Sequence, residues 1–269
     1  FGPHHPYIPP APWDTKYSPD ELEIPASYNE EMSGCPIFSS LKAETSSANR
    51  QNWGDKGFRQ LMSAYYGNIS MIDHHLGRLF AYMRDTGIWE NTTIIFASDH
   101  GDYMGHYGLT GKGDMYDPSA KIPMLIKPAY SEYRNKRINH VVNGIDLYGT
   151  IAELAGYKEW QEYGDESRSL VPFMNGCPES WCNETYAIIG ENLNYAQSMY
   201  RQDDFKLIRR NRNGIDPSYE LFRLDKASYE ASNLYDDIAY QALAESMTKK
   251  LDDWNKLQKQ RMGKTVFSS

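Results

Sequence analysis

Near residue 97 a short apolar run turns abruptly polar, and that junction limits the folds open to this chain. Thr92-Thr93-Ile94-Ile95-Phe96-Ala97 is β-branched and apolar, too short for a core helix, and reads as a buried strand. Ser98-Asp99-His100-Gly101-Asp102 follows at once. An acid and an imidazole therefore stand at the carboxyl end of a core strand, where open α/β sheets collect ligands and catalytic groups. Lys121-Ile122-Pro123-Met124-Leu125-Ile126 reads as a second short strand. Upstream, Leu61, Tyr65, Ile69, Ile72, Leu76, Leu79 and Met83 recur at helical spacing, with Gly87 as the stop. Downstream, Leu147, Ile151 and Leu154 share a helix face closed by Gly156. Strand and helix alternate, which predicts an α/β arrangement around a largely parallel or mixed sheet. Prolines at 3, 6, 9, 10, 12, 19, 25 and 36 predict an irregular segment over residues 1–57.

Beyond about residue 184 the pattern changes. Tyr186–Ile189, Ala196–Tyr200, Phe205–Ile208 and Tyr219–Phe222 read as short strands, and Asn211-Arg212-Asn213-Gly214 as a hairpin turn. Leu243, Met247, Leu251, Trp254 and Leu257 mark a last amphipathic helix. Consecutive strands followed by one helix predict a small α+β subdomain.

Three stretches bear chemistry. Asp99 offers a hard oxygen ligand and His100 a nitrogen, although the same letters serve a polar turn in which Asp99 caps the next segment. Lys112 stands between Gly111 and Gly113, whose freedom lets the backbone approach a ligand closely. His4 and His5 sit in a stiff proline-rich segment, Pro3-His4-His5-Pro6. An acid, a lysine and a histidine beside a strand-end metal candidate suit the binding and cleavage of an oxyanion ester. The net charge of −8 argues against a nucleic-acid partner, so an anionic substrate must be attracted locally, by a metal and Lys112. Arg78 reads best as a solvated helix charge. No apolar run approaches the length of a membrane span. Cys177 and Cys182 are spaced for a local disulfide, which would favour an oxidising compartment, periplasmic, secreted or lysosomal; two free thiols fit the same spacing.

Taken in order, Pro3-His4-His5-Pro6, Asp73-His74-His75-Leu76-Gly77-Arg78-Leu79, Asn91 to Gly101, Gly111-Lys112-Gly113 and Lys121-Ile122-Pro123-Met124 resemble the formylglycine-dependent sulfatases of the alkaline phosphatase superfamily. Leu221-Phe222-Arg223-Leu224-Asp225 with Ala231-Ser232-Asn233-Leu234 is similar to that family's C-terminal signature. The resemblance implies an alkaline phosphatase-like α/β domain over residues 1–183, part of a large mixed sheet flanked by helices. It also implies a C-terminal subdomain over 184–269, an antiparallel sheet with one helix. The implied activity is sulfuric-ester hydrolysis on a sulfated small molecule or glycan. A phosphodiesterase or phosphonate monoester hydrolase of the same superfamily, and a non-catalytic module binding sulfated glycans, are the alternatives.

The same resemblance implies roles for individual residues. Asp99 and His100 match metal-site residues whose usual occupant is Ca2+, although another divalent cation is compatible and imidazole suits softer metals better. Lys112 matches the lysine that contacts the sulfate and leaving oxygen. His4 matches the P-H-x-P histidine, a candidate general acid, with His5 the alternative if the register slips. His5 and His106, the latter in the loop between metal and lysine, are candidate substrate contacts. One departure stands out: the sequence has neither C-x-P-S-R nor S-x-P-S-R, whose first residue becomes the formylglycine nucleophile, and Cys35-Pro36-Ile37-Phe38 does not fit. The expectation is therefore a C-terminal part of a longer sulfatase, inert alone, whose formylglycine and paired first-strand aspartates belong to an N-terminal part that accompanies it.

Overall fold

The computed structural model describes residues 2–30, 38–130, 135–163, 166–176, 178, 180–190, 195–212, 215–224, 230 and 232–266. The chain forms two compact units, Phe1–Tyr130 and Ser131–Ser269. The change of pattern near residue 184 falls inside the second unit, so residues 135–163 group with the C-terminal strands.

The first unit is built on α1 (Phe38–Asp85), which is bent where Gly54 leaves helical geometry at φ 56°. The segment 38–57, expected to be irregular, is helical. No proline occurs between Pro36 and Pro118, and the one interruption in this polar stretch is the kink at Gly54. Its side chains turn instead to tertiary partners. Ser46 Oγ donates to the Tyr107 carbonyl at 2.6 Å, and Asn49 Nδ2 to the Gly108 carbonyl at 3.1 Å. Further along, α1 buries a face of small residues, Ser63, Gly67 and Ser70. Ser63 Oγ donates to the Tyr17 carbonyl at 2.7 Å, and the Tyr17 and Ser70 hydroxyls meet at 2.7 Å. A Cβ on Gly67 would come within 2.4 Å of the Trp13 carbonyl oxygen, so glycine is what lets the proline-rich segment lie against the helix. That segment contains short 3₁₀ turns at Trp13–Thr15, Pro19–Glu21 and Ala26–Asn29.

Gly87, at φ 76°, ends α1 as expected. Strands β1 (Ile94–Ala97) and β2 (Met124–Lys127) pair antiparallel, with Phe96 opposite Leu125. The antiparallel pairing is compatible with the mixed sheet expected. One finding departs from the expectation: β1 is not buried within this unit, with Phe96 41% exposed and Leu125, opposite it on β2, 60% exposed. A ladder of two strands covers neither of its faces completely. Between the strands, residues 98–123 form an ordered loop with a 3₁₀ turn at His106–Gly108 and the one-turn helix α2 (Asp117–Ala120).

The second unit begins with α3 (Asp146–Leu154), stopped at Gly156, then the short helices α4 (Trp160–Tyr163) and α5 (Val171–Met174). The meander β3 (Glu184–Ile189), β4 (Tyr195–Gln202), β5 (Phe205–Arg212) and β6 (Ile215–Arg223) follows, each strand antiparallel to the next. It is the predicted antiparallel sheet, with longer strands than the sequence marked; Asn213 and Gly214 of the predicted turn lie outside the described residues. The last helix, α6 (Gln241–Val266), lays Ala244, Met247 and Leu251 against Tyr200, Leu207 and Leu221. Inside this sheet Arg210 forms a bidentate pair with Glu220, both N–O distances 3.0 Å, and Lys206 meets Glu230 at 2.6 Å. Such charges are tolerated inside only because each is paired. Cys182 is exposed and its thiol free, while Cys177 and Cys35 lie outside the described residues. Among the described residues no helix is long and apolar enough to cross a membrane.

Candidate active site

The candidate residues all belong to the first unit, on two stretches: the proline-rich segment that carries His4 and His5, and the 98–123 loop. The loop starts where β1 ends. Gly101 N–H donates to the Ser119 carbonyl at 2.8 Å, and a Cβ at this position would come within 2.1 Å of the Pro118 carbonyl oxygen. A side chain here would push the start of the loop off its end, so Gly101 is needed for close approach.

Asp99 is exposed, its side chain 84% accessible. Its slight burial would raise the carboxyl pKa, but the neighbouring His100 and donation from the His100 N–H at 3.0 Å outweigh this and hold it below the usual range. Asp99 therefore presents a charged oxygen to the outside. His100 Nδ1 faces the Gly101 carbonyl at 2.8 Å. A carbonyl only accepts, so Nδ1 carries a proton, and in the neutral ring Nε2 keeps its lone pair. Asp99 Oδ2 and His100 Nε2 stand 3.6 Å apart, an oxygen and a nitrogen of the kinds that metals take. Ca2+ takes six to eight oxygen ligands. Among the described residues no group of three or more His, Cys, Asp or Glu converges on a common point, so this pair is at most one side of such a site.

Lys112 stands between Gly111 (φ 76°) and Gly113 (φ 109°), backbone conformations that favour glycine. It is half-buried, and among the described residues its ammonium makes no ion pair. Asp114, two residues on, is buried and anchors the turn. It accepts from the Tyr103 hydroxyl at 2.7 and 2.6 Å and from the Tyr116 N–H at 3.0 Å, and it pairs with Lys42 of α1. Gly113 N–H donates to Ser119 Oγ at 3.0 Å, which closes the loop on α2.

His4 and His5 are exposed, their rings stacked 4.1 Å apart. His4 Nδ1 faces the His5 carbonyl at 2.6 Å, which again assigns the proton to Nδ1 and leaves Nε2 outward. His106 is placed differently. It stands in a tight turn where Met104 (φ 40°), Gly105 (φ 99°), Tyr107 (φ 55°) and Gly108 (φ 67°) all have left-handed backbone. Its Nδ1 lies 2.7 Å from Ser27 Oγ, and burial lowers its pKa. Ser27 is fully buried, so this ring is tied to the wall of the unit rather than presented alongside Asp99.

Asp102, which the sequence reading left without a role, joins these pieces. Its Oδ1 accepts from the Met104 and Gly111 N–H groups, each at 3.0 Å, and its Oδ2 from the Tyr7 hydroxyl at 2.6 Å. One carboxylate two residues after His100 therefore holds the residue before Lys112 and a tyrosine two residues after His5. The acid that ends Ser98-Asp99-His100-Gly101-Asp102 was visible in the sequence, but its partners, 95 residues away for Tyr7, were not.

The chain is similar to known proteins over most of its length. A family model described as Sulfatase matches residues 2–157. A second, described as N-sulphoglucosamine sulphohydrolase, C-terminal, matches residues 105–258. The multifunctional alkaline phosphatase superfamily protein PehA of Trinickia caryophylli is 30% identical over 283 residues, covering 94% of this chain and 54% of that protein. Arylsulfatase K of Danio rerio is 26% identical over 231 residues, covering 82% of this chain and 42% of that protein. The structure of the phosphonate monoester hydrolase from Silicibacter pomeroyi superposes with a TM-score of 0.74 at 26% identity, covering 97% of this chain and 54% of that one. The chain spans about half the length of the curated relatives it matches.

Proposed function

The chain belongs to the sulfatase family, and on that footing we propose that it carries the charge-holding side of a sulfuric-ester hydrolase site. The observation that supports this reading most is the Asp102 node, which ties the loop bearing His100 and Lys112 to the segment bearing His4 and His5. In this reading Lys112 holds the sulfate and the charge that develops on the leaving oxygen. Among the described residues its ammonium has no ion-pair partner, which leaves its charge for that task. His4 is the general acid: with Nδ1 spoken for by the His5 carbonyl, a protonated ring has its Nε2–H to hand to the leaving oxygen. His5 is the secondary candidate for contact with the rest of the substrate, a sulfated small molecule or glycan, whereas the bond of His106 to buried Ser27 favours a structural role for that ring.

Asp99 and His100 are two donors toward a divalent cation, Ca2+ in this proposal, with the remaining ligands supplied from outside residues 1–269. Such a cation would neutralise sulfate charge. The reading also assigns the nucleophile, a formylglycine, to residues outside this sequence, which has no C-x-P-S-R or S-x-P-S-R motif.

A second reading, a phosphonate monoester hydrolase, is favoured by the likeness to the Silicibacter pomeroyi enzyme. The same lysine and histidine would serve either tetrahedral ester. The test compares kcat/KM for a 4-nitrophenyl sulfate and a 4-nitrophenyl phosphonate in the complete enzyme, nucleophile segment included, with Ca2+ present. Faster sulfate cleavage supports the sulfatase reading; faster phosphonate cleavage replaces it with the second. Binding of sulfated oligosaccharide without cleavage of either ester would make the protein a binding module.

A further inference from the structure

Tyr7 belongs to the same stretch as His4, and Asp102 to the same loop as His100 and Lys112. The Tyr7 ring lies edge-on to Tyr65 of α1 at 5.6 Å and to His5 at 6.5 Å. Its hydroxyl donates to Asp102 Oδ2 at 2.6 Å, a short bond of the charge-assisted kind. Burial, reinforced by the Asp102 carboxylate, raises the phenol pKa, so the hydroxyl keeps its proton and remains a donor. The acceptor cannot drift, because its other oxygen is held by the Met104 and Gly111 amides, and releasing these would open the turn beside Lys112. Prolines stiffen the 3–10 segment internally. They do not fix where it stands relative to the loop. The exposed His4 ring is therefore referenced to Lys112 through Tyr7, Asp102 and Gly111.

We propose that Tyr7 and Asp102 are a positioning pair that sets the placement of His4 against Lys112 during ester cleavage. This inference rests on the functional reading above. Neither residue need touch the substrate. Their effect is on geometry, and misplacement of an acid by about 1 Å can cost on the order of a hundredfold in rate.

Tyr7→Phe keeps the ring and its packing while removing the bond, so it leaves the fold intact. The experiment measures Tyr7→Phe, alone and combined with His4→Ala, on aryl sulfates whose leaving groups span activated to poor. For the poorest leaving groups kcat should fall on the order of tenfold or more, with KM little changed. Activated esters, which need little protonation, should be nearly unaffected. In the His4→Ala background Tyr7→Phe should add no further loss. The backbone order parameters of His4, His5, Tyr7 and Ile8 should fall in Tyr7→Phe, while the Met104 and Gly111 amides, still held by Asp102 Oδ1, stay protected from hydrogen exchange. An equal loss across all leaving groups, an additive loss on top of His4→Ala, or unchanged order parameters in the 4–8 segment would overturn the proposal. If the complete enzyme, nucleophile segment included, cleaves neither sulfate nor phosphonate esters, the functional reading fails by itself, and the order parameters still decide whether Tyr7 holds the segment.

Discussion

Lys42→Met is the substitution whose consequence is best fixed by this structure. Asp114 is fully buried, and Lys42, only 18% exposed, is its counter-ion. The two lie 72 residues apart, so their pairing ties α1 to the turn that displays Lys112. Breaking a buried ion pair by removing one partner typically costs about 3–5 kcal/mol, because a charge is left behind without compensation. Here the Tyr103 hydroxyl and the Tyr116 N–H still serve the Asp114 carboxylate, and the lysine is partly reached by water. The expected loss is therefore at or just below the lower end of that range, about 2–3 kcal/mol. Methionine fills most of the volume of the lysine stem, so the loss reports the charge rather than a cavity. Adding Asp114→Asn removes the stranded charge, and the double variant should recover at least about 1 kcal/mol relative to additivity. Urea unfolding at pH 7, read by linear extrapolation, measures both. A loss below about 0.5 kcal/mol for Lys42→Met, or strict additivity of the two changes, would show that this pair does not hold the loop.

Three further outcomes are expected. In the complete enzyme, Lys112→Ala should lower kcat on an aryl sulfate by on the order of 10²–10³ with little change in the urea midpoint, since a lysine between two glycines has little packing to lose; an unchanged kcat would remove Lys112 from the site. His4→Ala should harm esters with poor leaving groups far more than activated ones; equal losses would point to a binding role, and a larger effect at His5 would move the acid by one residue. Burial holds the His106 pKa below its usual 6.5, so the unfolded chain takes up the proton more readily than the folded one. Stability should accordingly fall as the pH drops from 6.5 toward the depressed folded value, and His106→Gln should flatten that slope in thermal melts between pH 7 and 5. A wild-type slope that survives the substitution would assign it to another group.

The sequence by itself determined those elements in which one face meets a core. Leu61 to Met83 repeats at helical spacing up to Gly87, and α1 ends there. Met247 and Leu251 mark the side of α6 that seats on the sheet, and Tyr186 to Phe222 shows the strands of the meander. The ordered motifs pointed to the family because close approach and strand-end chemistry demand particular residue types, as at Gly101 and around Lys112. Other features belong to the tertiary structure alone. Residues 38–57 carry no apolar stripe, because their partners are the carbonyls of Tyr107 and Gly108, so periodicity had nothing to register. The face of α1 beneath the proline-rich segment is made of Ser63, Gly67 and Ser70, small residues that give no hydrophobic signal. The antiparallel pairing of β1 and β2 could not be told from their apolar runs, which look the same in either direction. Asp102 is one acid among many until the fold brings Tyr7 and Gly111 to its two oxygens. Periodicity records what a residue shares with its neighbours along the chain, whereas a hydrogen bond across 95 positions exists only once the chain has closed on itself.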